Sequence, residues 1–198
     1  MSEQFSMNKW LYEDQTLYGL IAEGESLDQV ELYNCELINA RLSGATLKRW
    51  VFEDCTFRDC DLSNIVWEGC TFEGCHFVDC RLIGSDWRLV ASLTAEVSFE
   101  SCDLSMSQLS GITLRATHFE SSRCIDADFS RADLSESIWT ETNVSEALFE
   151  ETKLIKAKLS GTIGESFDPK VSKLDGATIS VATAIRLAES LGLHVDQE

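Results

Sequence analysis

The chain has 198 residues, with 34 Asp and Glu against 16 Lys and Arg, a formal charge of −18, eight cysteines, one proline and 44% hydrophobic residues. That length supports one domain with a real core, the apolar share excludes a disordered acidic polymer, and the net charge argues against direct nucleic-acid binding, because a polyanion repels phosphates. No apolar run spans a bilayer and the start Met1 to Phe5 lacks an export signal, so no membrane contact and a cytoplasmic location with free thiols are expected.

Residues 1–24 carry a weak five-residue phase, with Tyr12, Leu17 and Ala22 in step, but Gln15 and Glu25 stand where the later pattern places small residues. The segment is expected to form an N-terminal cap, with Trp10, Leu11, Leu20 and Ile21 as the apolar cover that an open repeat end needs. From residue 25 to 89 the period is strict. Steps of five from Leu27 to Trp87 meet thirteen large apolar residues in thirteen places, including Leu32, Phe52, Phe57, Trp67, Phe72 and Phe77. The residue two places before each is mostly small, as at Cys35, Ala40, Ala45, Cys55 and Cys60.

A helix needs apolar spacings of three and four, and a plain strand a spacing of two. Two inward side chains around one outward one make a very short strand, and the remaining residues turn a corner. Repetition predicts a β-solenoid with side chains stacked inside. Trp50 stands at a small position and is expected to distort its coil. Seven of the eight cysteines occupy the small position, and Cys124 a large one. Their spacing follows the repeat and not a metal motif, so they are expected to fill the core, with no metal or cofactor bound.

Between Trp87 and Phe99 the phase slips by two. A bulge over 90–96 is expected to project from one face, with Arg88, Leu89, Leu93 and Glu96 as contact residues; the alternative is a packing irregularity covered by Leu89 and Leu93. The second block, 97–179, resumes the period at Phe99, and twelve of the thirteen positions from there through Leu159 are large and apolar. Regularity then loosens through Gly161, Gly164 and Pro169. Over 180–198, Ser180 reads as a helix N-cap and Gly192 as a stop. This helix is expected to cap the C-terminal end. Val181, Ile185, Leu187, Ala188 and Leu191, joined by Leu193 and Val195, form a wider apolar stripe than capping needs, and are the candidate homodimer interface.

Units such as Ala127-Asp128-Phe129-Ser130-Arg131 and Ala132-Asp133-Leu134-Ser135-Glu136 closely resemble the pentapeptide-repeat family. The resemblance covers roughly residues 27–180 and implies an all-β fold: a right-handed quadrilateral parallel β-helix, four pentads to a coil, here with a short C-terminal α-helix. The stretches Arg81 to Trp87, Cys102 to Met106 and Phe167 to Val195 are similar to the branch that includes the quinolone-resistance and the albicidin- and microcin-immunity proteins. That similarity implies binding to DNA gyrase or topoisomerase IV, mimicry of duplex DNA, and a homodimer joined at the C-terminal ends. The pentads run unbroken from Leu27 to Trp87, where several quinolone-resistance members carry a long outward loop.

Residues 1–152 hold 28 acids and 10 bases, and residues 153–198 six of each. About eight coils at ~4.8 Å spacing make a rod roughly 40 Å long, so its charges lie about 2 Å apart, near the ~1.7 Å of duplex DNA. With four sides, Glu53 stacks on Glu73, Asp59 on Asp79 and Glu100 on Glu120, an arrangement that costs stability. Together with Glu68, Asp128, Asp133, Glu136, Glu141 and Glu146 these residues are the candidate DNA-mimicking surface. The competing reading is an acidic interaction scaffold with no topoisomerase role, its charge serving solubility and protection from edge pairing. No catalytic residues are assigned: His76 and His118 precede inward phenylalanines, His194 lies in the tail, and no nucleophile or phosphate-loop motif occurs.

Overall fold

In every pentad the two inward side chains leave one residue between them and force a corner after them, so the chain folds as strands of two to four residues. The computed structural model describes residues 9–91, 95–164, 167 and 172–196, together with the backbone of Glu3–Gln4. Among these, seventeen short strands precede one helix, α1 (Val181–Ser190). Strands pair in parallel with those twenty residues on, as in Leu17 with Leu37 and Leu27 with Leu47. Four pentads therefore close one coil, and the molecule is a right-handed, four-sided β-solenoid of about eight turns.

The four faces are named by their inward columns. Face 1 stacks Leu17, Leu37, Phe57, Phe77, Phe99, Phe119 and Trp139. Its aromatic part is a true stack, with ring centroids 4.5, 5.3, 5.3 and 4.0 Å apart from Phe57 through Trp139. Face 2 follows the next corner, with Leu42, Leu62, Leu82 and Leu104 inside, and is held by single bridges between outward residues, from Ile21 through Arg41, Asp61, Arg81, Asp103 and Arg123 to Asn143. Face 3 carries Leu27, Leu47 and Trp67, and face 4 carries Tyr12, Leu32, Phe52 and Phe72. Each column is fully or nearly fully buried.

Residues 11–24 form a coil of their own. Leu11–Glu13 pairs with Glu31–Tyr33, Thr16–Tyr18 pairs with Glu36–Ile38, and Ile21 bridges Arg41. Gln15 holds the small inward position there and its Oε1 is buried without a partner. Trp50 corrects the expected distortion. It is fully buried, yet its coil stays regular: Val51 N–H donates to Val30 O and Thr71 N–H to Trp50 O, both at 2.9 Å. The indole has room because Val30 and Cys70 occupy the equivalent positions one coil away on either side.

The small inward position does more than save space. Cys55, Cys60, Cys70, Cys75, Cys80 and Cys102 each donate the thiol to the carbonyl of a large inward residue one coil back, at 3.2 to 3.5 Å. In the second block Thr142, Thr152 and Ser172 make the same bond with hydroxyls, at 3.0, 2.8 and 2.6 Å. Burial pushes the thiol of Cys55 up to about 11, and those of Cys70 and Cys75 up to about 12. All eight cysteines are unbridged and buried.

Corners are turned by single residues in the left-handed region. Among the described residues twenty of them are not glycine, with φ between 47° and 66°. Half of these are Asp, Asn or Ser, but Glu136, Glu141, Glu146 and Glu151 fill all four corners of one coil.

At the C-terminus the Ser180 hydroxyl accepts from Thr183 N–H at 3.1 Å, starting α1. Gly192 (φ 80°) ends it, with Gly192 N–H on Glu189 O and Leu193 N–H on Ala188 O, a Schellman closure. Among the described residues no helix is long and apolar enough to cross a membrane.

Candidate interaction surface

Outward residues meet their equivalents one coil away, so each face is a set of ladders. On face 2 the central ladder alternates Arg41, Asp61, Arg81, Asp103 and Arg123. Asp61 and Arg81 lie 3.9 Å apart, Asp103 and Arg123 3.6 Å, and Arg41 reaches Glu23 at 3.6 Å. Asp61 and Asp103 also accept from the Ser63 and Ser105 hydroxyls at 2.7 and 2.6 Å. This face is neutral and self-paired.

The edges of face 1 are the opposite case. Glu53 pairs in register with Glu73, and Glu100 with Glu120. Asp59 and Asp79 lie on the corner beside the second stack, and the Asp79 N–H donates to Glu100 O at 3.0 Å. Among the described residues no cation comes within 4 Å of Glu53, Asp59, Glu73, Asp79, Glu100, Glu120, Asp128, Glu141 or Glu146. Three other candidate acids are partnered: Glu68 by Lys48 at 3.5 Å, Asp133 by Lys153 at 3.3 Å, and Glu136 by Arg115 at 2.8 Å. Asp133 is also held below the ordinary carboxylate range: burial pushes it up, but the Ser135 hydroxyl and N–H and Lys153 outweigh that.

The twelve candidate acids are thus not one patch. Glu53 and Glu73 lie on the edge of face 4 next to face 1, and Asp59, Asp79, Glu100, Glu120 and Glu141 follow the ridge from face 1 to face 2. Glu68 and Asp128 sit on face 3, Asp133 on face 4, and Glu136 and Glu146 on other corners.

The slip expected over 90–96 appears as a coil of 22 residues, Phe77 pairing with Phe99. Chain enters with the Leu89 carbonyl on Gly69 N–H at 2.7 Å and returns with Glu96 N–H on Phe72 O at 3.2 Å. Arg88 is exposed and grips Asp86 at 2.9 and 2.7 Å, which holds that carboxyl below its usual range. Leu89 is 54% exposed, and Leu93 lies outside the described residues. Glu96 is the informative member. It lines one groove with Glu53 and Glu73 and another with Glu100 and Glu120, so the bulge links the two acidic stacks. Sequence spacing does not show that link, because it depends on where the bulge rejoins the coil.

At the C-terminal end the stripe on α1 lies largely open. Val181, Leu191, Leu193 and Val195 are exposed, while Ile185, Leu187 and Ala188 are half-buried.

Comparison with known proteins agrees with this geometry. One family model, the pentapeptide repeat region, matches residues 30–94, and a second, pentapeptide repeats in eight copies, matches residues 127–163. The chain belongs to the pentapeptide-repeat family. Solved structures superpose along almost the whole rod. A trypsin-treated variant of QnrB1, a plasmid-mediated fluoroquinolone resistance protein, matches with a TM-score of 0.75 at 21% identity, covering 90% of this chain and 99% of that one. Full-length QnrB1 matches at 0.72 and 20% identity, covering 92% and 100%. The curated proteins contain no match to the sequence.

Proposed function

We propose that this protein binds the basic DNA-binding surface of a type II topoisomerase, DNA gyrase or topoisomerase IV, in place of duplex DNA, and protects that enzyme from an inhibitor or toxin or alters its response to one. One observation carries the reading: Glu53 on Glu73 and Glu100 on Glu120 are stacked with no cation among the described residues within 4 Å, on a rod whose face 2 alternates Arg with Asp. Like charges directly opposed across strands cost stability, so folding does not ask for them. A basic partner does, since complementary fields raise both encounter rate and affinity. The fold likeness to a fluoroquinolone resistance protein supports the same choice of partner. The role is one of binding, in keeping with an interior filled by stacked side chains. Pairing of two chains through Leu191, Leu193 and Val195 would give a rod of twice the length.

A supercoiling assay with purified protein at low and moderate salt tests the reading. Inhibition, or rescue from a drug, that weakens as salt rises is the expected result. No effect at micromolar protein on either type II topoisomerase rejects it and leaves the acidic scaffold.

A further inference from the structure

Faces 4 and 1 change sign along the rod. Their acidic stacks, Glu53 on Glu73 and Glu100 on Glu120, end two coils, roughly 10 Å, before a set of lysines on the same two faces. On face 4 Lys153 bridges in register to Lys173, on face 1 Lys158 lies over Ile138, and Lys156 (φ 57°) fills the corner between the faces. All four are exposed. Lys153 reaches Asp133 at 3.3 Å. Among the described residues no carboxylate, Asp175 included, comes within 4 Å of Lys156, Lys158 or Lys173. Of the acids one coil before them, Asp133 is held by Lys153 and Arg115, and Glu136 by Arg115 at 2.8 Å.

Lysine over lysine is as unfavourable to a coil as glutamate over glutamate, so folding does not ask for this ladder either. The arginines of face 2 are placed otherwise, in alternation with aspartate. The position of the lysines is a separate observation. They continue the faces whose stacked acids meet a basic partner, and there an unpaired cation is repelled by that same surface.

We infer that Lys153, Lys156, Lys158 and Lys173 dock on a patch of carboxylates of the protein partner, set beside the basic surface that the acidic coils occupy, and so fix which way round the rod lies. The inference rests on the topoisomerase reading for the identity of that partner. A duplex nucleic acid fits less well, because one laid along these faces meets Glu100 and Glu120 two coils away. A partner surface of both signs suits both parts of the rod, and the reversed orientation then sets like charges against each other.

The test is the sign of a charge effect. The triple variant Lys156→Gln, Lys158→Gln, Lys173→Gln makes the chain more acidic, which by long-range attraction alone tightens binding to a basic surface. The inference requires the opposite: affinity for gyrase or topoisomerase IV about tenfold weaker, as loss of three exposed ion pairs brings, with the melting temperature unchanged or raised. Arg131→Gln removes an exposed cation from the corner between faces 3 and 4 and should leave affinity unaltered or slightly raised. Carbodiimide cross-linking of the complex should join the lysines directly to Asp or Glu of the topoisomerase. A triple variant that binds as tightly as the unmodified chain or more so, or cross-links that avoid the lysines, overturns the inference and leaves the topoisomerase reading standing. Retardation of duplex DNA by the unmodified chain and not by the triple variant assigns the lysines to nucleic acid and overturns it too. No binding of the unmodified chain to either topoisomerase overturns both.

Discussion

Face 2 and the ridge beside it share one backbone, coil for coil, yet hold their charges in opposite ways. Along face 2 arginine and aspartate alternate at one strand spacing, and each charge finds its opposite on the next coil. Along the ridge and the edge of face 4, glutamate meets glutamate. A solenoid makes this choice unavoidable, because every outward residue lies directly over its equivalent. A ladder either compensates itself or repels itself, and only the first helps the fold. The neutral face shows that the chain can pair its charges; the acidic edges leave theirs unpaired among the described residues.

The severest test removes the interior that both faces share. The thiols of Cys70, Cys75 and Cys80 are pushed up to about 12 from an ordinary 9.0, Cys70 and Cys75 chiefly by burial, and Cys80 chiefly by the neighbouring Cys102 thiol with burial adding to it. A raised thiol value favours the protonated, folded form. The stability it brings is whole below pH 9 and is lost as pH rises towards 12. Circular dichroism should show one alkaline transition between these limits, worth several kcal/mol. At about pH 8, below the ordinary thiol range, iodoacetamide should leave the folded cysteines unmodified. Rapid labelling at that pH would contradict the packed interior.

Next in size is the quadruple variant Glu53→Gln, Glu73→Gln, Glu100→Gln, Glu120→Gln. Topoisomerase binding should fall about a hundredfold and lose most of its salt dependence, while the melting temperature rises. Unchanged binding would assign these acids to solubility.

Arg81→Glu makes the converse change on face 2. It places an acid between Asp61 and Asp103 and should cost about 1–2 kcal/mol of stability, read by urea denaturation, with topoisomerase affinity unaltered. A loss of affinity would mean that both faces touch the partner.

The smallest effect concerns the corners. Glu146 holds φ 59°, a region that Asp adopts more readily. Glu146→Asp keeps the charge and should stabilise by a few tenths of a kcal/mol, and Glu146→Gly, which loses it, by about 0.5–1 kcal/mol. Both melting temperatures should rise; a fall in either would mean that the corner glutamate makes a contact that holds the coil.

Much of the fold is legible in the sequence because the repeat constrains inward positions so tightly. Steps of five find the buried columns, and steps of twenty with the two-residue slip find the aromatic stack from Phe57 to Trp139. Trp50 shows where size alone misleads, since the smaller Val30 and Cys70 on either side make room for it. The cysteines read as filler, and the carbonyls they bond to become visible only with the coils in place. Trp67 and Trp87 show the same limit: both fill the same face 3 position, yet Ser85 accepts from the Trp87 indole at 2.9 Å and Ile65 leaves that of Trp67 without a partner.

Side-chain period and composition alone set the pitch of the repeat, the inward columns, the two-residue slip and the surplus of acid. Which of the acids find a cation, and that Glu96 joins two acidic stacks, emerge only in the folded rod. Those facts depend on contacts between coils about twenty residues apart, and two extra residues are enough to change which contacts form.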